Sequence, residues 1–240
     1  MDERPARPGT GAGPVAAGGD LAALAERIGD LLSRSPSGRV LVGMAGEPGA
    51  GKSTLARGLT AVLSARTMVV PLDGYHLADV ELTRQGLLGR KGAPETFDAW
   101  GYATLLDRLA GRPDHTVYAP GFERDLEQPL AGAIAVEPDV EVVLTEGNYL
   151  LVDRAEWRAG RALLDETWYV DVDPVVRRAR LVNRHVEFGK PPSDAERWVA
   201  EVDEANAALV VASRSRADLV VELSPPAGSP RTGSQSPTGP

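Results

Sequence analysis

Cysteine is absent from the 240-residue chain, and histidine occurs only at positions 76, 115 and 185. Without a thiol there is no disulfide framework, thiolate zinc site, iron–sulfur cluster or cysteine nucleophile. The three histidines lie too far apart in sequence to form a local metal-binding motif. No apolar run approaches the roughly 20 residues that a membrane-spanning helix requires. The first residues are rich in Gly and Pro, not basic and then apolar, which excludes the pattern of a secretory signal. Positive charge is also in deficit, 26 basic against 34 acidic side chains, for a net charge of −8. So acidic a surface disfavours duplex nucleic acid and anionic membranes as partners. The expectation is a cytoplasmic protein whose partner is a small molecule. Nothing in the sequence reads out oligomeric state, and a homodimer is left open.

What remains is an ordinary globular composition, 42% hydrophobic and 25% charged. Residues 1–19 hold five Gly and three Pro, and residues 224–240 hold three Gly and five Pro. Neither end has apolar periodicity to repay the entropy of ordering, so both read as disordered tails around a folded domain over 20–223. Within it, Leu21, Leu24, Ile28 and Leu31 keep helical spacing behind Asp20 as N-cap. Short apolar runs at Val40–Met44, Thr67–Leu72, Val140–Thr145, Thr167–Val172 and Leu219–Leu223 read as buried strands. Helices are expected over about 52–65, around Tyr102–Leu109 behind Asp98, and after Asp173-Pro174 as far as Gly189. Ser193-x-x-Glu196 has the spacing of a capping box. Strands apolar on both faces, alternating with helices, predict an α/β fold with a parallel β-sheet flanked by helices on both faces.

One motif carries chemistry directly. Gly46-Glu47-Pro48-Gly49-Ala50-Gly51-Lys52-Ser53 matches G-x-x-x-x-G-K-[ST], with a strand before it and a helix after it. Backbone N–H groups of Gly46, Gly49, Ala50 and Gly51, continuing to Thr54, can curl around a phosphate chain at the positive end of the helix. Lys52 would bridge the β- and γ-phosphates, and the Ser53 hydroxyl would ligate Mg²⁺. The ligand is then a nucleoside triphosphate. A right-handed crossover keeps the 67–72 strand parallel to 40–44, so Asp73-Gly74-Tyr75-His76 opens onto the same sheet edge. A carboxylate there can take the proton of an attacking hydroxyl. Glu146-Gly147-Asn148-Tyr149 reaches that edge too, and Glu146 suits Mg²⁺ or a hydrogen bond to substrate. On the 174–187 helix, Val175, Ala179, Val182 and Val186 form one stripe, and Arg177, Arg180 and Arg184 form the opposite face. With Gly189-Lys190-Pro191-Pro192 as a hinge, this reads as an Arg-rich lid over about 174–192.

The phosphate loop, the Asp after the second strand, the later Glu-Gly and the arginine lid together resemble the P-loop small-molecule kinases. That group includes uridine kinase, bacterial pantothenate kinase and phosphoribulokinase. The segment Arg90-Lys91-Gly92-Ala93-Pro94-Glu95-Thr96-Phe97-Asp98 resembles bacterial pantothenate kinases in particular, and the likeness spans about 39–206. It implies a P-loop NTPase fold using ATP and Mg²⁺, with Asp73 as catalytic base and Glu146 as an active-site carboxylate beside Lys52. Arg180 and Arg184 would be the lid arginines. Tyr75, His76, Arg90, Lys91, Arg124 and Asn148 would meet the acceptor, for which Trp100, Tyr118 and Tyr149 are further stacking candidates. Glu146-Gly147-Asn148-Tyr149-Leu150-Leu151 is closer to nucleoside/nucleotide kinase-like proteins, some of them linked to sugars such as fructose. A GTPase or ATPase acting as regulator or chaperone is the alternative, as is a binding scaffold without catalysis. The Asn/Thr-Lys-x-Asp segment that reads guanine is absent, and Lys52, Asp73 and the arginines are all present.

Overall fold

A computed structural model describes residues 15–16 and 20–223. Val15–Ala16 forms a short strand, β1, inside the segment expected to be a tail. The rest of both expected tails, 1–14, 17–19 and 224–240, lies outside the described residues. The chain continues through α1 (Leu21–Ser33), β2 (Val40–Ala45), α2 (Lys52–Val62), β3 (Thr67–Pro71), α3 (Asp79–Gln85) and α4 (Ala99–Ala110). A hairpin of β4 (Val117–Glu123) and β5 (Gln128–Val136) precedes β6 (Val142–Glu146), α5 (Ala155–Arg161) and β7 (Glu166–Asp171). The chain ends with α6 (Pro174–Glu187), α7 (Pro192–Trp198), a π-helical turn (Val199–Asp203), α8 (Glu204–Val211) and β8 (Leu219–Glu222).

Six strands form one parallel sheet in the order β1-β8-β7-β2-β6-β3. Side chains alternate between its faces. Val40, Val42 and Met44 face one layer with α1 and α2, and Leu41 and Ala45 face another with α4 and α5. Burial on both faces is what the uninterrupted apolar runs required. The expected caps are in place: Asp20 accepts from Ala22 N at 2.9 Å, Asp98 from Gly101 N at 2.8 Å and Asp173 from Val175 N at 2.8 Å. The capping box at Ser193 is not formed. Pro191 is the N-cap and Pro192 starts α7, so Ser193 already lies in the first turn. The strand expected over 140–145 runs two residues later at its start and includes Glu146 as its last residue.

The register decides what meets at the sheet edge. Glu146 pairs with Met44 on one side and Pro71 on the other, so β2, β3 and β6 end level. The 46–53 loop, Asp73 and Glu146 therefore share one rim. The β4–β5 hairpin, which the sequence reading lacked, docks against the turn holding Asp73. A Cβ on Gly74 would fall 2.3 Å from Pro120 O, a backbone atom with little room to yield. Gly74→Ala is expected to destabilise the fold by about 1–3 kcal/mol through overpacking. Urea unfolding checks this; an unchanged midpoint would mean that the hairpin does not rest on the Asp73 turn. Among the described residues, no helix is long and apolar enough to cross a membrane.

Candidate active site

The loop between β2 and α2 takes its shape from glycine. Gly49 and Gly51 have φ of +81° and +96°, which side-chain-bearing residues adopt at a cost. Gly51 is also the N-cap of α2 and supplies no side-chain acceptor, so the first N–H groups of the helix stay available to an anion. Lys52, the first helical residue, is only 7% exposed. Its amine donates to Gly46 O and Glu47 O, each at 3.0 Å, and to Asn148 Oδ1 at 2.7 Å. All three ammonium protons are thereby used. Burial pulls the Lys52 pKa down, while the charges of Glu146 and Asp73 pull it back up.

Ser53 Oγ donates to Glu146 Oε1 at 2.8 Å. Burial pushes the Glu146 carboxyl above its ordinary range and the charge of Asp73 adds to this, with Lys52 and the Ser53 hydrogen bond opposing. Asp73 sits one strand further out, in a 3₁₀ turn over Leu72–Tyr75 that follows β3 directly. Its side chain is partly exposed, and Oδ2 lies 3.8 Å from Arg124 Nη2 of the hairpin. The Asp73 carbonyl accepts from His76 N at 3.1 Å and lies 2.8 Å from His76 Nδ1. A carbonyl can only accept, so Nδ1 carries the imidazole proton. Burial lowers the His76 pKa, and Phe97 and Phe122 flank the ring at centroid distances of 4.0 and 4.9 Å. His76 is thus a clamp on the Asp73 turn as well as an aromatic surface near it.

The α6 helix is turned over relative to the sequence reading. Val175 is 72% exposed, and Val186 and Phe188 face solvent as well. Arg177 and Leu181 are the buried positions instead, at 1% and 0% exposure. The apolar stripe was expected to anchor the helix, but its arginine side lies against the acidic and polar rim of the loop. Arg177 meets Glu47 and Glu204 there, and Leu181 supplies the apolar contact of that face. Arg180 reaches the loop, its Nη1 3.6 Å from where a Cβ on Gly51 would stand. The charge of Arg184 is felt at Lys52, whose pKa it lowers further. Arg177, expected on the open face with them, is instead sealed between Glu47 and Glu204.

The remaining candidates divide. Lys91 pairs with Asp79 at 2.6 Å, bonds Glu127 O and lies over Phe122, which puts it beside the His76 cluster. Arg90 is turned toward Glu95 at 2.6 Å. Tyr75 packs edge-on to Tyr102, and Tyr149 is buried with its hydroxyl on Gly92 O. Trp100 and Tyr118 are exposed. Asn148 was expected to meet the acceptor, and its side chain is engaged with Lys52. The acidic partner of Arg177 was missed because Glu47 fills an x position of the motif, where no residue type is required.

A glycine-shaped loop, a buried lysine and a serine on a carboxylate, gathered at the rim of a parallel sheet, have the form of a P-loop nucleotide site. No protein-family model matches the sequence. The solved structure of a candidate fructose transport system kinase from Silicibacter sp. TM1040 is 40% identical, with a TM-score of 0.75 over 83% of this chain and 98% of that one. A candidate uridine kinase of Schizosaccharomyces pombe is 35% identical over 167 residues, 66% of this chain and 71% of its own. An ATP-dependent kinase-like protein of Aspergillus versicolor is 38% identical over 152 residues, 60% of this chain and 88% of its own. The chain belongs to the P-loop small-molecule kinases.

Proposed function

We propose that this kinase transfers the γ-phosphoryl group of ATP to a hydroxyl of a small polar metabolite, a nucleoside, a pantothenate-like alcohol or a sugar. The observation that carries the reading is the meeting of Lys52, Ser53, Glu146 and Asp73 at one rim, directly above the helix N-terminus. Ser53 and Glu146 would hold Mg²⁺, and the ion would supply charge neutralisation on the phosphates. Among the described residues no group of three or more carboxylates or histidines could cage a metal alone, which fits an ion that takes its other ligands from nucleotide and water. The acceptor oxygen attacks the γ-phosphorus, its proton passes to the Asp73 carboxylate, and ADP leaves with the bridging oxygen. Lys52, Arg180 and Arg184 offset the negative charge carried by the phosphoryl oxygens in transit.

Arg124, beside Asp73, would orient the acceptor, and the His76–Phe122 surface with Tyr75 would lie along its less polar side. Uridine and fructose transport appear in the names of relatives, and both concern polyhydroxylated molecules. We take the cytoplasm as its site of action. The test is coupled ADP release across nucleosides, pantothenate-like alcohols, sugars and sugar phosphates. One class should accelerate ADP release well above the acceptor-free rate. A uniform rate across the whole panel would remove the kinase assignment.

A further inference from the structure

Arg177 takes no part in the chemistry above, yet it is among the most deeply buried charges of the described residues. Sealing an ion away from water is costly unless partners surround it. Nη2 of Arg177 donates to Glu204 Oε1 at 2.5 Å, and Nε stands 3.1 Å from Glu47 Oε1. The Nε contact is close but misaligned, and neither Nε nor Nη1 has a hydrogen-bond partner. The guanidinium fork is therefore paired in charge but not saturated in hydrogen bonds.

Its partners lie on two separate functional elements. Glu47 is the second residue of the phosphate loop, and its carbonyl is one of the three acceptors of the Lys52 amine. Glu204 begins α8, immediately after the π-helical turn, and the preceding residue Asp203 meets His185 Nε2 at 2.9 Å. The body of α6 rests on the loop as well. A Cβ on Gly49 would stand 2.8 Å from Leu181 Cγ and 3.1 Å from Arg177 O. One side chain thus touches the loop that would take the phosphates and the start of α8, beyond the π-helical turn.

We propose that Arg177 is a positioning residue linking occupancy of the phosphate loop to the placement of the 174–203 segment, through Glu47 on one side and Glu204 on the other. The inference rests on the nucleotide reading of the loop. Phosphate drawing the Lys52 amine away from the Glu47 carbonyl releases one restraint on Glu47. A shift of its carboxylate changes which bonds the Arg177 fork makes. The unmade bonds of Nε and Nη1 give the fork a second arrangement to enter, and coupling needs an element with two arrangements.

The test uses the full chain, titrated with Mg-ATP by calorimetry and followed by hydrogen exchange. Arg177→Lys keeps the charge but loses the fork. Glu204→Gln neutralises one partner while keeping an oxygen that can accept, at a side chain that is partly exposed and also pairs with Arg178. Each is expected to raise the Kd for Mg-ATP at least about fivefold, the lower end of ordinary coupling between sites. Each should also abolish the slowing of exchange that nucleotide causes across 174–203 in the wild type. The double variant should bind no more weakly than the worse single one. A lower Tm with wild-type Kd and wild-type exchange response would make Arg177 purely structural and overturn the proposal. So would wild-type nucleotide binding with no slowing in 174–203. If the wild type does not bind Mg-ATP, the nucleotide reading fails first and takes this coupling with it. Should Arg177→Lys not fold, Glu204→Gln decides alone.

Discussion

Asp73→Asn is expected to lower kcat by about 10²–10⁴ while leaving nucleotide affinity close to the wild-type value, the usual cost of losing a well-placed general base. The substitution keeps the size of the side chain and its hydrogen bonding, so neither the 3₁₀ turn nor the His76 clamp on the Asp73 carbonyl is disturbed. What it removes is the ability to take a proton. The rim holds a second carboxylate, and the environments of the two differ. Glu146 is buried, bonded to Ser53 and pushed toward its protonated form, whereas Asp73 is partly exposed and faces Arg124. Contact geometry is the basis of the expected roles: Glu146 shares the Ser53 hydroxyl expected on Mg²⁺, and Asp73 faces the open side of the rim with Arg124. Steady-state kinetics and Mg-ATP titration of Asp73→Asn and Glu146→Gln check the assignment. If Glu146→Gln loses kcat alone and Asp73→Asn turns over normally, the two roles exchange.

Lys52→Ala is expected to reduce kcat/KM by about 10²–10³, the range seen when one fixed donor to a developing anion is deleted. The loss should appear in nucleotide affinity as well, because Lys52 is the buried cation of the loop. Its removal has an electrostatic consequence for its neighbours. Glu146 and Asp73 repel each other across the rim, and Lys52 is among the charges opposing that repulsion. Without it the Glu146 carboxyl is pushed further up, which weakens it as a metal ligand. The variant should therefore need more Mg²⁺ for half-maximal rate than the wild type. Unchanged affinity and turnover would remove the nucleotide site from this loop.

The sheet and the meeting of Lys52, Asp73 and Glu146 at one rim were legible because they rest on local signals. Continuous apolar runs mark β2, β6 and β7, and the crossover rule carries Asp73 and Glu146 to the same edge as the loop. The hairpin was not legible. Pro120, Gly121 and Pro129 interrupt the alternation that would have marked β4 and β5, and the register shifts between Ala119 and Gly121. The orientation of α6 was misread for a different reason. Periodicity identified two opposite faces correctly but assigned the interior by hydropathy. The interior next to this helix is acidic at Glu47 and Glu204, so arginine turns inward and valine outward. Leu181, buried on the arginine side, was the only local sign of it; the partners that hold Arg177 lie 130 positions earlier and 27 positions later.

Phosphoryl transfer is read most directly from the fate of a label on the γ-phosphoryl group of ATP, followed with wild-type protein and each active acceptor. The label is expected as a phosphate ester of the acceptor hydroxyl, in equal amount to the ADP formed. Asp73→Asn should suppress that ester while still binding the nucleotide. Label recovered only as inorganic phosphate, whatever acceptor is present, would rule out transfer to a hydroxyl and make the protein a nucleotide hydrolase.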